Sequence, residues 1–220
     1  MKQSFLVIIP VYNGEATIPS LLKRLSAADI DNFLFVNDGS TDGTGKLLAQ
    51  QSLNQLDHIE NRGKGAALMT GLNYAYDNGF DYVVTMDVDL QHPPESIVAL
   101  LRKVDKQSVV VAWRRDYSKM PPHRIFSNAV TSLLLSIRSN MQIKDSQCGF
   151  RAFPSKIITQ LTFIQHGFQF ESELLMRAVL AGYRIRHVPI PTIYAGEKSA
   201  MRNVYDTFKF IAMYLRSFLW

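Results

Sequence analysis

The segment FLVIIPVYNGEATIPSLLKRL, residues 5–25, couples a short apolar run to a helical pattern through a polar loop. FLVII (5–9) is brief and Pro10 stops it, so it reads as a buried strand, and Ile18 to Leu25 carries apolar residues at helical spacing. The same unit returns downstream. FLFV (33–36) precedes a helix from Asp42 to Leu53, and a weak apolar segment at His58–Ile59 leads into a helix from Lys64 to Tyr76. YVVTM (82–86) is followed by a helix from Pro94 to Val104, and VVVAW (109–113) closes the series. Such alternation predicts an α/β fold with a mostly parallel central sheet flanked by helices. Ligand loops in these sheets leave the carboxyl ends of the strands. The polar signatures PVYNGE, NDGSTDGT, NRGKG, DVDLQ and RRD all fall at those ends.

After residue 114 the rhythm changes. Arg124 to Arg138 reads as a helix, IKDSQCGFRAF (143–153) as a loop and strand, Phe170 to Ala181 as a helix opened by acids, and YRIRHVPI (183–190) as a strand. With no repeat or linker, the expectation is one domain over 1–220 with two functional halves, 1–113 and 114–200, and a C-terminal amphipathic helix (201–220). In that last stretch Arg202, Asp206, Lys209 and Arg216 form a polar stripe opposite Val204, Phe208, Ile211, Leu215 and Phe218. It suits an interfacial helix, a closing helix on the core or a dimer contact, and the Ile125–Ile137 helix poses the same choice.

Of 220 residues, 47% are hydrophobic and 20% charged, which excludes disorder, collagen-like repeats and coiled coil. A lone Cys148 excludes a disulfide framework and a cysteine zinc site, and reads as a buried, inert thiol. No apolar run approaches the ~20 residues of a spanning helix, and no secretory pattern opens the chain. The expected location is the cytoplasm, peripheral on the cytoplasmic face of the membrane. A net charge of +5 suits a phosphate-bearing ligand, an anionic membrane or nucleic acid. Phosphate motifs account for it better than nucleic acid does, so no nucleic-acid partner is expected.

In DVDLQHPPE (87–95), Asp87 and Asp89 stand two apart at the end of a buried strand, where alternation points them the same way. Two carboxylates held together call for a cation, Mg²⁺ or Mn²⁺, with Gln91 adding an amide oxygen and a substrate diphosphate completing the shell. The alternative is a solvated acidic loop capping a helix. An EF-hand is excluded, because position six is His92 and position twelve is Val98. His92 reads as a rim residue. In NDGSTDGTG (37–45), Asp38 and Asp42 can accept hydrogen bonds from a base or ribose, or Asp42 can cap the next helix. The loop is no Walker A sequence. NRGKGAAL (61–68) could cradle phosphate on the Gly63 and Gly65 amides with Lys64 as cation, or be a turn and helix start. Leu68 spoils it as a dinucleotide fingerprint. In FESE, Glu171 could contact sugar hydroxyls or act as a base, or simply favour a helix N-terminus.

Together VIIPVYNGE (7–15), FVNDGSTDGT (35–44), NRGKGAA (61–67) and TMDVDLQHPPE (85–95) resemble family-2 glycosyltransferases of the GT-A, nucleotide-diphospho-sugar transferase fold. DSQCGFRAF (145–153), FQFESELLMRAVLAGYRI (168–185), VPI (188–190) and YAGEKS (194–199) are similar to the branch making polyprenyl-phosphate sugars. The resemblance implies that Pro10, Tyr12 and Glu15 line a nucleoside pocket, with Val36 and Asp38 against the base, Lys64 near base or phosphate, and Asp42, Gly65 and Val88 completing the donor site. It implies that Asp87, Asp89 and Gln91 hold the divalent cation. Arg114, Arg124 and Lys198 with Ser199 would gather the lipid phosphate and diphosphate charges, Arg114 standing where the family has a GSR arginine. Asn37 replaces a frequent Asp, and Trp113 a small residue.

The function so implied is an inverting, metal-dependent transfer of a sugar from a GDP- or UDP-sugar to a polyprenyl phosphate. Homodimerisation or a separate membrane subunit would fit a peripheral enzyme. Two rivals are transfer to a sugar hydroxyl, with Glu171 as general base, and a non-catalytic nucleotide-sugar-binding membrane adaptor.

Overall fold

A computed structural model describes residues 4–118, 120–193 and 203–220, with the side chains of 203–205 left aside. The described residues form strands β1 (Phe5–Val11), β2 (Phe33–Asp38), β3 (Gln55–His58), β4 (Tyr82–Thr85), β5 (Ser108–Arg114), β6 (Arg151–Pro154) and β7 (Arg184–Ile190). The helices are α1 (Ile18–Ala27), α2 (Thr44–Gln50), α3 (Lys64–Asp77), α4 (Ile97–Leu101), α5 (Pro122–Ser139), α6 (Ile157–Gln160), α7 (Gln169–Leu180) and α8 (Asn203–Arg216).

One sheet runs β3-β2-β1-β4-β6-β5-β7. Parallel pairing joins β1 to β2 and β4, β2 to β3, and β5 to β7. Only β6 runs antiparallel, between β4 and β5. All the other strands therefore point their carboxyl ends at one rim, while β6 leaves that rim and carries residues 145–150 onto it. Strand alternation splits the apolar residues between two cores. Leu6, Ile8, Leu34 and Val36 face one side with Leu68 and Leu72 of α3 and Leu174 of α7. Val7, Ile9 and Phe35 face the other with Leu21 and Leu25 of α1 and Ile97 of α4. Each such buried side chain contributes about 1.5–3 kcal/mol. Gly71 lets α3 press onto β1, since a Cβ there would lie 2.4 Å from Ile8 Cγ2.

The structure corrects several expected boundaries. The second helix starts at Thr44, because Asp42 Oδ1 accepts from Thr44 N at 3.0 Å and holds an Asx turn ahead of it. The Pro94 helix opens as a 3-10 turn over Pro94–Ser96 before α4. The boundary expected at 113/114 falls inside β5, so the two halves share one sheet. Among the described residues no helix is long and apolar enough to cross a membrane.

Candidate active site

Three loops at the rim are stitched by side chains. Asn13 takes a bond from Thr41 N at 2.8 Å, while Ser40 Oγ receives Asn13 N at 3.0 Å. Glu15 Oε2 accepts from Gly43 N at 3.0 Å, and Asp42 Oδ2 accepts from Glu15 N at 3.3 Å. The loops after β1 and β2 thus brace each other through short polar side chains. Tyr12 stays exposed above them, whereas Pro10 and Val36 are buried neighbours across the β1–β2 pair. Val36 belongs to the core on the α3 side and presents no side chain to an open pocket.

Asp38 is buried, and its carboxylate is fully engaged. Oδ1 accepts from His58 Nδ1 at 2.6 Å and Arg62 N at 2.9 Å, and Oδ2 accepts from Gly63 N at 2.8 Å. A carboxylate only accepts, so His58 carries its proton on Nδ1. Of the two amides that a phosphate cradle in the NRGKG loop would use, the Gly63 amide is therefore already taken. The loop's Arg62 and Gly63 amides are bound to Asp38, and Ala66 N donates to the His166 carbonyl at 3.1 Å. Gly65 is a packing glycine: a Cβ would sit 2.7 Å from His166 C and 2.8 Å from Phe170 Cβ.

Strand β4 ends at Thr85, so Asp87 and Asp89 lie in the following loop and their relation does not come from strand alternation. Leu90 turns this loop in the left-handed region at φ +63°, its carbonyl held by Arg24 Nη1 at 3.0 Å. Asp89 Oδ1 accepts from Gln91 N at 3.1 Å, and Val88 packs within 3.4–3.6 Å of the space over Gly14 in the β1 loop. His92 is buried beneath the loop rather than at its rim. Its Nδ1 accepts from Asp87 N at 3.0 Å and its ring stacks on Phe150. Burial, with Lys64 and Arg114 adding to it, outweighs Asp87 and brings the imidazole down to about 4, so the ring is neutral at pH 7.

At the centre, Lys64 Nζ lies 2.6 Å from Asp87 Oδ1 and 2.9 Å from Glu171 Oε1. Burial disfavours the ammonium, but Asp87 and then Glu171 outweigh it and hold Lys64 above the usual lysine range. Burial likewise opposes the Asp87 carboxylate, and Lys64 keeps it below its usual range. The first residue of α3, the loop after β4 and the first turn of α7 meet here. Gly149 makes the meeting possible. A Cβ on it would lie 2.4 Å from Glu171 Oε1, 3.0 Å from Lys64 Nζ and 3.1 Å from Asp87 Oδ2. Thr85 Oγ1 fixes that glycine by donating to its carbonyl at 2.7 Å.

A second ion pair flanks the first. Arg114, the last residue of β5, meets Asp145 in a fork: Nε to Oδ2 and Nη2 to Oδ1, both 2.8 Å. Asn128 of α5 adds a bond to Asp145 Oδ1 at 2.9 Å. Fully buried Arg151 ties the same loop down, donating to the carbonyls of Ser146, Cys148 and Glu171. Burial pushes the Cys148 thiol up to about 12, which keeps it inert. Arg124 sits in the first turn of α5, while Lys198 and Ser199 lie outside the described residues.

The structure thus gathers Lys64, Asp87 and Glu171 and engages Arg114, while Asp38, Gly65 and Val36 serve the scaffold. Sequence reasoning missed Asp145, Asn128, Gly149 and Arg151. An acid and a glycine flanking Cys148 were the available signal. Among the described residues no group of three His, Cys, Asp or Glu could hold a metal. A divalent ion here would have to take Asp87 from Lys64, and Asp89 and Gln91 of the same loop could then add their oxygens. That donor set fits a hard cation completed by a diphosphate.

The model for glycosyl transferase family 2 matches residues 6–166. A UDP-N-acetylglucosamine–dolichyl-phosphate N-acetylglucosaminyltransferase of Methanococcus voltae is 32% identical over 213 residues, covering 86% of this chain and 85% of that protein. A polyprenol monophosphomannose synthase of Mycolicibacterium smegmatis is 29% identical over 203 residues, covering 86% of this chain and 77% of that protein. In three dimensions the chain is similar to a glucosyl-3-phosphoglycerate synthase from Mycobacterium tuberculosis, solved with Mn²⁺, uridine diphosphate and phosphoglyceric acid. The TM-score is 0.79 at 22% identity, over 98% of this chain and 78% of that one. That likeness establishes the GT-A fold.

Proposed function

Because the chain belongs to glycosyl transferase family 2, we propose that this enzyme moves a sugar, with inversion, from a nucleotide-sugar donor to a polyprenyl phosphate. The observation that carries the reading is the Lys64–Asp87–Glu171 cluster, set at the rim beside the Arg114–Asp145 pair. The half over 1–113 receives the donor, with Pro10, Tyr12 and Glu15 around the nucleoside. Asp87 and Asp89, with Gln91, hold Mg²⁺ or Mn²⁺. The bound ion supplies charge stabilisation for the departing diphosphate. Arg114 and Arg124, with Lys198, draw the acceptor phosphate toward the rim and place it in line with the anomeric carbon.

A phosphate acceptor is already an anion and needs no general base. Glu171 fits that chemistry: paired with Lys64, it is poorly placed to remove a proton and well placed to orient a sugar hydroxyl. A sugar-hydroxyl acceptor would need Glu171 released from Lys64. The test offers labelled UDP- and GDP-sugars with a short polyprenyl phosphate and Mn²⁺. A labelled glycolipid is expected from the wild type and none from Asp89→Ala, which should stay folded. Transfer only to a glycan, or full activity in Asp89→Ala, overturns the acceptor or the metal assignment respectively.

A further inference from the structure

We propose that Glu173 is a positioning residue of the site. It holds the 164–166 segment as a cap on the first turn of α3, and through that cap fixes the main chain from which Lys64 reaches Asp87. The proposal rests on the donor-site reading of the Lys64 cluster given above, and its geometry comes from the side chains behind that cluster.

Glu171 and Glu173 stand two apart on α7, so they leave the helix on different sides. Glu171 turns to the Lys64 ammonium, 2.9 Å from it. Glu173 turns elsewhere and is fully buried. Its Oε2 accepts from Gln165 N at 2.8 Å and from Ile164 N at 3.0 Å, and its Oε1 accepts from Arg177 Nε at 2.8 Å. The Arg177 guanidinium in turn lies 3.9 Å from the centre of the Trp220 ring. A carboxylate withdrawn from water this completely is costly unless its contacts are kept. What it keeps here is a short stretch of main chain that belongs to no helix or strand.

That stretch has a use. A helix opens with amides that no carbonyl of its own can reach, and α3 starts after Gly63 without a side-chain cap. The Ala66 amide, in the first turn, donates instead to the His166 carbonyl at 3.1 Å. The glycines on either side of Lys64 let His166 come this close. A Cβ on Gly63 would lie 2.6 Å from His166 O, and one on Gly65 would lie 2.8 Å from it. Lys64 thus stands between two residues pressed against one carbonyl, and that carbonyl follows directly on the amides that Glu173 holds.

Helix α7 therefore grips Lys64 twice, at its head through Glu171 and at its root through Glu173. The two grips differ in kind. The head is a pairing of charges that an incoming cation can part, whereas the root is main chain tied to a carboxylate buried from solvent. A lysine that must leave Asp87 and return needs a fixed root for the swing.

Two readouts on the full chain test this, and neither needs turnover. Glu173→Gln replaces one accepting oxygen by an NH₂ group. Hydrogen exchange of the Ala66 amide is then expected to quicken at least about tenfold, with the amides of β1 and β4 unchanged. Nucleotide-free Mn²⁺ binding, read by electron paramagnetic resonance, is expected to tighten at least about threefold as Lys64 loses its hold on Asp87. In a Lys64→Met background the same substitution should leave Mn²⁺ binding unmoved, since the residue it acts through is gone. Should Glu173→Gln melt early, Glu173→Asp withdraws the carboxylate by one methylene while keeping its charge, and the same outcomes are expected of it. An Ala66 amide that exchanges as in the wild type overturns the proposal. So does a Mn²⁺ effect that persists without Lys64, or exchange that quickens equally in β1 and β4, the mark of a residue serving the fold alone. A wild type that binds no Mn²⁺, but whose Ala66 amide responds to Glu173→Gln, upholds the positioning role and removes the metal assignment. Glycolipid formed by an enzyme whose Ala66 amide ignores Glu173→Gln does the reverse.

Discussion

Asp38 and Asp87 sit on either side of β1, one closing β2 and the other just past β4, yet they are held in opposite ways. Asp38 is held by two main-chain amides and the His58 ring, all fixed parts of the fold. Asp87 is held by the end of a lysine side chain that also serves Glu171. A main-chain partner cannot leave without unfolding a loop, whereas a lysine can swing away when a stronger cation arrives. The first carboxylate is therefore architecture and the second is available for exchange. Isosteric replacement at each position tests that distinction. Asp87→Asn is expected to lower sugar transfer by about 10³-fold or more, since a neutral amide is a poor ligand for a hard cation. Its melting point should move by only a few degrees, because Lys64 keeps Glu171. An active Asp87→Asn enzyme would erase the contrast.

Asp38→Asn should do the opposite. One of its oxygens becomes an NH₂ group facing an N–H donor, leaving a buried donor unsatisfied. The cost is about 2–4 kcal/mol, or roughly 5–12 °C in Tm for a chain of this size. Thermal denaturation followed by circular dichroism measures it. A variant that melts with the wild type but loses donor affinity would show Asp38 to be a ligand contact after all.

How far these roles could be read in the sequence depends on what each residue's partners are. Strands, helices and the rim of polar loops were legible because period-two and helical spacings are local, and the GT-A expectation holds. The antiparallel insertion of β6 was not, since RAFP carries no mark of strand direction. Within the site, the DVD acids and Lys64 were legible as residue types in a pattern, and the structure brings Lys64 and Asp87 together. Asp38 looked like a ligand contact because its partners, the amides of residues 62 and 63, have no signature in side-chain identity. Gly149 and Asp145 went unnoticed for a related reason: their importance lies in space shared with residues 17 to 85 positions away. Gly65 adds a role of the same kind: besides the anion cradle read for it, its missing Cβ lets His166 and Phe170 pack.

Lys64→Met sharpens the idea of an exchangeable partner. In the wild type, an incoming ion must displace the ammonium from Asp87 before any diphosphate is present to help. Removing the ammonium should tighten nucleotide-free Mn²⁺ binding by about tenfold, equivalent to about 1.4 kcal/mol. Free Mn²⁺ counted by electron paramagnetic resonance reads this without any turnover. Weaker Mn²⁺ binding in the variant would mean that Lys64 organises the acids rather than competing for them.

The smallest effect concerns another group held by main chain. His187 Nε2 accepts from Lys144 N at 3.2 Å, so its protonation breaks a fixed contact, as loss of the Asp38 carboxylate does. Burial first, and then the charges of Lys144 and Lys103 against the opposing pull of Asp145, bring this imidazole down to about 4 from its ordinary 6.5. The sign follows from the unfolded chain taking up the proton more readily. The stability that depends on the neutral ring is fully present above pH 6.5 and is lost as pH falls toward 4. For a half-buried ring screened by solvent the loss is roughly 1 kcal/mol, or about 2–4 °C. His187→Gln cannot titrate, so its Tm should fall less than the wild type's between pH 7 and pH 4.5. Parallel curves would mean that the ring turns to solvent on protonation, and that a single main-chain hydrogen bond is too little to hold a side chain against exchange.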